Sequence, residues 1–351
     1  MKQGPARHRD MDMKEGEFFG TTKTGDTVRR FPIAGGGLSG TIITFGAAVQ
    51  DLRLDGHHAP LVLGFDRFED YEVHSPFFGA IAGRYANRIR DGRFTIGGRR
   101  YQAQRNFLGK HTLHGGDAGF AAKVWDVSLH GADYVTMTLH DPDGSMGFPA
   151  GIDVTCTYRL KIPATLTIEL TARCDAPTLC NLAHHSYFNL DDGGAGDILD
   201  HRLMLNAAAY LPIDKEAIPT GVVQPVDDTM FDFRLARPIR QETPSGQFSY
   251  DHNFCLAACR GPLRQAAWAQ GARSGVEMEV WTTEPGVQFY AGERVERSVK
   301  GLGGRQYKAY AGFCLEPQVW PDSPNRSYFP QAVLWPGEIY RQVTEYRFRL
   351  G

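Results

Sequence analysis

Apolar and polar residues alternate along much of this chain with a period of two rather than 3.6. Residues 154–160 (Val-Thr-Cys-Thr-Tyr-Arg-Leu) and 165–174 (Thr-Leu-Thr-Ile-Glu-Leu-Thr-Ala-Arg-Cys) are rich in β-branched residues on alternate positions, and residues 161–164 form a natural hairpin connection. Residues 93–104 read as two short strands around Gly97-Gly98, a two-residue hairpin signature. Residues 276–292 place Val276, Met278 and Val280 on one face, turn at Pro285-Gly286 and resume. Forty glycines and twenty prolines punctuate the chain at short intervals. Helical spacing is confined to a turn or two at 66–74 and another at 263–270. The pattern predicts an all-β fold, an antiparallel sandwich or barrel with few short helices. With no internal repeat, low-complexity tract or linker, one domain is expected over residues 16–351, after a flexible segment at 1–15.

Composition narrows the function class. The 38 basic and 40 acidic residues leave a net charge of -2, which gives no electrostatic reason to expect nucleic acid or an acidic membrane as a partner. Hydrophobic residues make up 42%, enough for a substantial core. Residues 1–19 are polar and charged, without the apolar stretch of a secretory signal, and no later stretch is apolar enough to span a bilayer, so a cytoplasmic protein is expected. The six cysteines are scattered without Cys-x-x-Cys spacing and read as buried free thiols.

Two glycine motifs fail on context. Gly35, Gly37 and Gly40 satisfy G-x-G-x-x-G, but a strand-like run follows where a dinucleotide site needs a helix, so a strand-to-strand turn is expected. The stretch around Lys110 lacks the first glycine of a phosphate-binding loop. The histidines offer weak metal spacing: His57-His58 and His184-His185 are adjacent, and His111 and His114 are three apart. Neighbours on a strand point to opposite faces, and no H-E-x-x-H pattern appears, so no metal is expected.

The same alternation sorts residues 181–190. If extended, this segment puts Asn181, His185, Tyr187 and Asn189 on a polar face with Ala183, and His184 with Leu182, Ser186, Phe188 and Leu190 on a core-like face. His185 is then a cleft residue and His184 a core histidine. Glu316, after Phe313-Cys314-Leu315 and before a proline-rich loop, is expected at a strand end, partly desolvated and so a better base; a structural carboxylate capping the loop is the alternative. The triplet Asp251-His252-Asn253 is a third polar cluster, which a turn explains equally well.

Taken in order, residues 83–89 (GRYANRI), 113–120 (LHGGDAGF), 185–190 (HSYFNL), 251–254 (DHNF), 285–292 (PGVQFYAG) and 315–325 (LEPQVWPDSPN) resemble the motifs of aldose 1-epimerases, the galactose mutarotase family, from about residue 16 to the end. The resemblance implies one large β-sandwich with a sugar cleft on a concave face and no cofactor. It implies His185 as general acid and Glu316 as general base. It places Asn87, Arg88, His114, Tyr187, Asp251 and Gln288 on sugar-contacting positions, with Arg84 in the same motif. The chain departs from the family's usual residues at Ala183 and His184, at Ala291-Gly292-Glu293 and at Pro317, which bears on sugar preference rather than on the acid–base pair.

Interconverting α and β anomers of a galactose- or glucose-type aldose requires a base at O1 and an acid at the ring oxygen. Ordinary pKa values of about 4.3 and 6.5 predict an ionised Glu316 and a protonatable His185 near neutrality. Tyr187 or Trp320 is expected to wall the sugar. The expected partner is a small monosaccharide, bound by a monomer or weak homodimer. The alternatives are a non-catalytic sugar sensor or a related enzyme acting on a modified sugar. The latter includes a glycosidase using Glu316 and Asp251, and a sugar-phosphate epimerase using Arg84, Arg88, Arg90 and Arg93.

Overall fold

A computed structural model describes residues 15–351; residues 1–14, nearly all of the expected flexible segment, lie outside the described residues. The alternating runs fold as read. Tyr134–Asp141, Ile152–Lys161, Thr165–Cys174 and Tyr340–Arg349 pair in turn as antiparallel neighbours within a nine-stranded sheet. Alternation in sequence becomes alternation in burial: Ile152, Val154, Cys156, Tyr158 and Leu160 are buried while the residues between them are not. They join a core cluster that reaches from Phe31 to Phe348, where each fully buried large apolar side chain contributes about 1.5–3 kcal/mol.

The other large sheets have four and five strands. The four run consecutively from Glu17–Thr21 through Thr27–Gly35 and Leu38–Ile43 to Ala48–Leu54. The glycine-rich motif is the turn between the second and third of these, as expected. Gly36 has a φ of 64° there, and a Cβ would lie 2.2 Å from the Lys161 carbonyl oxygen, so only glycine fits. Gly97 and Gly98 likewise close the hairpin of Arg93–Ile96 with Arg99–Gln102, both at positive φ.

Among the described residues there is one α-helix, Phe68–His74, inside the first stretch with helical spacing. The second stretch is not helical. Arg264–Gln270 is a strand, hydrogen-bonded on one side to Arg202–Leu205 and on the other to Glu277–Thr282. Its alanines favour a helix locally, but pairing along both edges overrides so weak a propensity. All six cysteines are free; Cys156, Cys180 and Cys314 are buried as expected, whereas Cys259 is exposed. No helix among the described residues is long and apolar enough to cross a membrane.

Candidate active site

The five-stranded sheet ends with Asp251–Cys255, Gly286–Tyr290 and Cys314–Gln318 lying side by side. Its register aligns Asn253, Gln288 and Glu316 in one row and Asp251, Tyr290 and Cys314 in the next. Directly opposed residues share a face, so these polar side chains gather on one side while Phe254, Val287, Phe289 and Leu315 bury the other. The triplet at 251–253 is therefore a strand rather than a turn. Glu316 sits in the middle of its strand, not at an end, and is 2% exposed.

The segment carrying the paired histidines crosses this face. Only Ala183–His184 pairs as a strand, with Ile81–Ala82, and His185 N–H donates to the Ala80 carbonyl at 2.9 Å. The two-face reading holds at the histidines. His184 lies in the core between the Tyr158 and Tyr346 rings, at 6.0 and 5.7 Å. His185 faces the cleft among Phe77, His114 and Tyr187, with ring centroids 5.6, 5.2 and 5.1 Å away. The reading fails at the segment's ends. Asn181 accepts the Val319 N–H at 2.8 Å, and Asn189 donates to the Ala311 carbonyl at 2.9 Å, so both clamp backbone instead of facing the cleft.

Asn87 and His114 hold one another. His114 N–H donates to the Asn87 carbonyl at 3.0 Å, and Asn87 N–H donates to His114 Nδ1 at 3.2 Å. Both have positive φ, 64° and 49°, a strain that reciprocal bonding keeps in place. Because Nδ1 accepts an N–H, the neutral His114 ring carries its proton on Nε2. Arg88 donates to Asp251 Oδ2 at 3.0 Å and lies 4.8 Å from the Phe107 ring. Gln288 donates to Asp251 Oδ1 at 2.6 Å.

These groups border a cavity of about 420 Å³, lined by Asn87, Arg88, His114, His185, Tyr187, Asp251 and Glu316 among others. Gln288 is not part of that lining; it bonds Asp251 and lines a small cavity that shares Asn87, Arg88 and Asp251 with it. His185 Nε2 is 3.6 Å from Glu316 Oε1, too long for a good hydrogen bond. Glu316 Oε2, Gln288 Oε1 and Arg88 Nε are buried without a partner, which suits a ligand rich in hydroxyls.

Electrostatics correct the expected protonation states. Burial pulls His185 down to about 4 and His114 well below its ordinary value, so it favours the neutral form of both rings. Burial, reinforced by Asp251, pushes Glu316 well above the carboxylate range. Burial acts on Asp251 too, but Arg88 and Gln288 outweigh it and keep that carboxyl low. His184 falls to about 3 by burial, with His185 beside it.

Some candidates lie elsewhere. Trp320 donates its indole N–H to the Pro285 carbonyl and packs on Leu211 and Phe329, so Tyr187 alone of the two aromatics lines the cleft. Arg84 is buried against Asp141 at 2.6 Å and donates to the Pro149 and Ala150 carbonyls. Arg90 pairs with Asp214, and Arg93 donates to Gln102 on its own hairpin, so with Arg84 on Asp141 and Arg88 on Asp251 the four arginines are separately engaged. His111 accepts the Asp91 N–H and faces Glu216, outside the cluster. Phe77, at a φ of 69°, was not legible in the sequence; nothing local marks it, and only the tertiary structure stacks it on His185.

The sequence matches the family model described as aldose 1-epimerase over residues 31–347. The chain belongs to the aldose 1-epimerase family. It is 40% identical to galactose mutarotase from Mus musculus over 335 residues, covering 93% of this chain and 96% of that one. Against aldose 1-epimerase from Escherichia coli the identity is 35%, over 89% of this chain and 92% of that one. The fold of this epimerase-family chain matches the crystal structure of a GalM/aldose epimerase homologue from C. elegans with a TM-score of 0.86 and 30% identity, covering 92% and 99% of the two chains.

Proposed function

We propose that the protein is an aldose 1-epimerase that opens and recloses the ring of a free galactose- or glucose-type aldose, with Glu316 as base and His185 as acid. Glu316 removes the O1 proton, the C1–O5 bond breaks with its electron pair passing to O5, and His185 Nε2 protonates that oxygen. The product is the open-chain aldehyde. Rotation about C1–C2 exposes its other face, and reclosure returns both protons.

The hydrogen-bond polarity around the two histidines carries the assignment. His114 Nδ1 is occupied by a backbone N–H, so protonating it would set two donors face to face. His114 is thus a fixed neutral donor to a sugar oxygen. His185 has no such block, and its Nε2 faces Glu316. The pKa shifts support the same direction. Ring opening turns a carboxylate and an imidazolium into two neutral groups, and burial disfavours both ions. It makes Glu316 the stronger base and His185 the stronger acid.

Ligand-capable atoms of His114, His185 and Glu316 lie within 4.8 Å of one another. A metal would need a lone pair from His114 Nε2, which carries the proton. That leaves two donors where three or four are wanted.

The test is polarimetry of freshly dissolved α-D-galactose and α-D-glucose in a weakly catalysing buffer. Faster decay to the unchanged equilibrium rotation is expected. No acceleration with either sugar, or release of product from a chromogenic glycoside, would overturn the reading.

A further inference from the structure

We infer that Cys314 is a positioning residue for the acid: its sulfur accepts the Nδ1 proton of His185 and leaves Nε2 free to exchange a proton with the sugar. The inference rests on His185 being the acid.

Cys314 Sγ lies 3.5 Å from His185 Nδ1, two residues before Glu316 on the same strand and on the same face. The thiol is fully buried, and the Tyr187 hydroxyl engages it as well. A histidine that gives up and regains a proton at Nε2 must keep the one on Nδ1 throughout. That proton needs an acceptor, and few are within reach. The ring's own backbone carbonyl is one, and it also accepts the Gly79 N–H at 3.1 Å. Cys314 is the side chain hydrogen-bonded to Nδ1.

The choice of a thiol has a chemical consequence. Burial, with Glu316 and Asp251 nearby, holds Cys314 protonated and uncharged. A neutral sulfur is a weak acceptor. It orients the ring without stabilising the imidazolium as a carboxylate would. The charged or titratable groups facing His185, besides Cys314 itself, are Glu316, Asp251, Arg88, His114, Tyr187 and the adjacent His184. None of them is hydrogen-bonded to Nδ1.

Nitrogen-15 NMR of the imidazoles in the full-length protein at neutral pH reads the tautomer directly. His185 protonated on Nδ1 is expected; protonation on Nε2 in the unaltered protein overturns the inference without any variant. In Cys314→Ala the tautomer should shift toward Nε2–H, with kcat about 10-fold lower and KM within about twofold, a fraction of the effect of losing a general acid. In Cys314→Ser the hydroxyl should restore Nδ1–H and most of kcat. As a better acceptor it should also move the His185 titration upward. A Cys314→Ala variant that keeps Nδ1–H and normal kcat refutes the role. Failure of the acid assignment shows differently, as normal turnover in His185→Ala.

Discussion

Replacing Glu316 by Gln changes a charge and almost no volume, so it separates catalysis from folding. Glu316 is 2% exposed, its Oε2 has no partner, and burial together with Asp251 pushes its pKa well up. General base catalysis is worth about 10²–10⁴-fold, or about 2.7–5.4 kcal/mol of barrier. That loss is expected in kcat, with KM for galactose changed little. Stability should move the other way. A carboxyl whose folded-state pKa is raised binds its proton more tightly in the native protein. It therefore costs stability as pH rises from the unfolded value toward the folded one. Gln has no such cost, so the variant's advantage over the parent should grow by about 1–2 kcal/mol between pH 5 and pH 8. Polarimetry gives kcat and KM, and urea denaturation at pH 5, 7 and 8 gives the stability difference. A folded variant with kcat within threefold of the parent would refute the base assignment. Destabilisation growing with pH would mean that Glu316 is a structural carboxylate.

Three further outcomes are expected. His185→Ala should lose about 10²–10⁴-fold in kcat, whereas His114→Gln, which keeps an N–H donor, should lose about tenfold; the reverse order in polarimetry would exchange their roles. Burial holds His184, His201 and His252 at about 3, 4 and 4. The contribution of these three histidines to folding stability should therefore be flat above about pH 7 and fall between pH 6.5 and 4 as the unfolded chain takes up protons first. His184→Leu should lessen that slope in urea titrations, and an unchanged slope would refute the assignment. Arg84→Met should cost about 1–3 kcal/mol, because Asp141, which is 3% exposed, keeps Lys123 but loses its buried guanidinium partner. Because Arg84 does not line the cleft, kcat per folded molecule should stay within a few-fold; a large loss of kcat in a fully folded sample would place it in the site.

The sequence by itself determined what depends on local repetition and backbone geometry. A period-two pattern yields strands because alternate side chains of an extended chain point to opposite faces, which is why residues 152–161 and 165–174 were legible. Glycine pairs marked turns because only glycine takes those positive φ values without strain. The six motifs, read in order, were specific enough to name the family. The alternation at 184–185 separated the core histidine from the cleft histidine, because adjacent extended residues must diverge. The tertiary structure decided the rest. A strand at Arg264–Gln270 formed because neighbours paired on both edges, which no window of seven residues can announce. The row of Asp251, Tyr290 and Cys314 exists only through register, and the proton on His114 Nε2 only through a backbone N–H 27 residues away in sequence. The inverted pKa values arise the same way. Ordinary side chains titrate in water, and Glu316 and His185 were taken out of it by packing that the whole chain supplies.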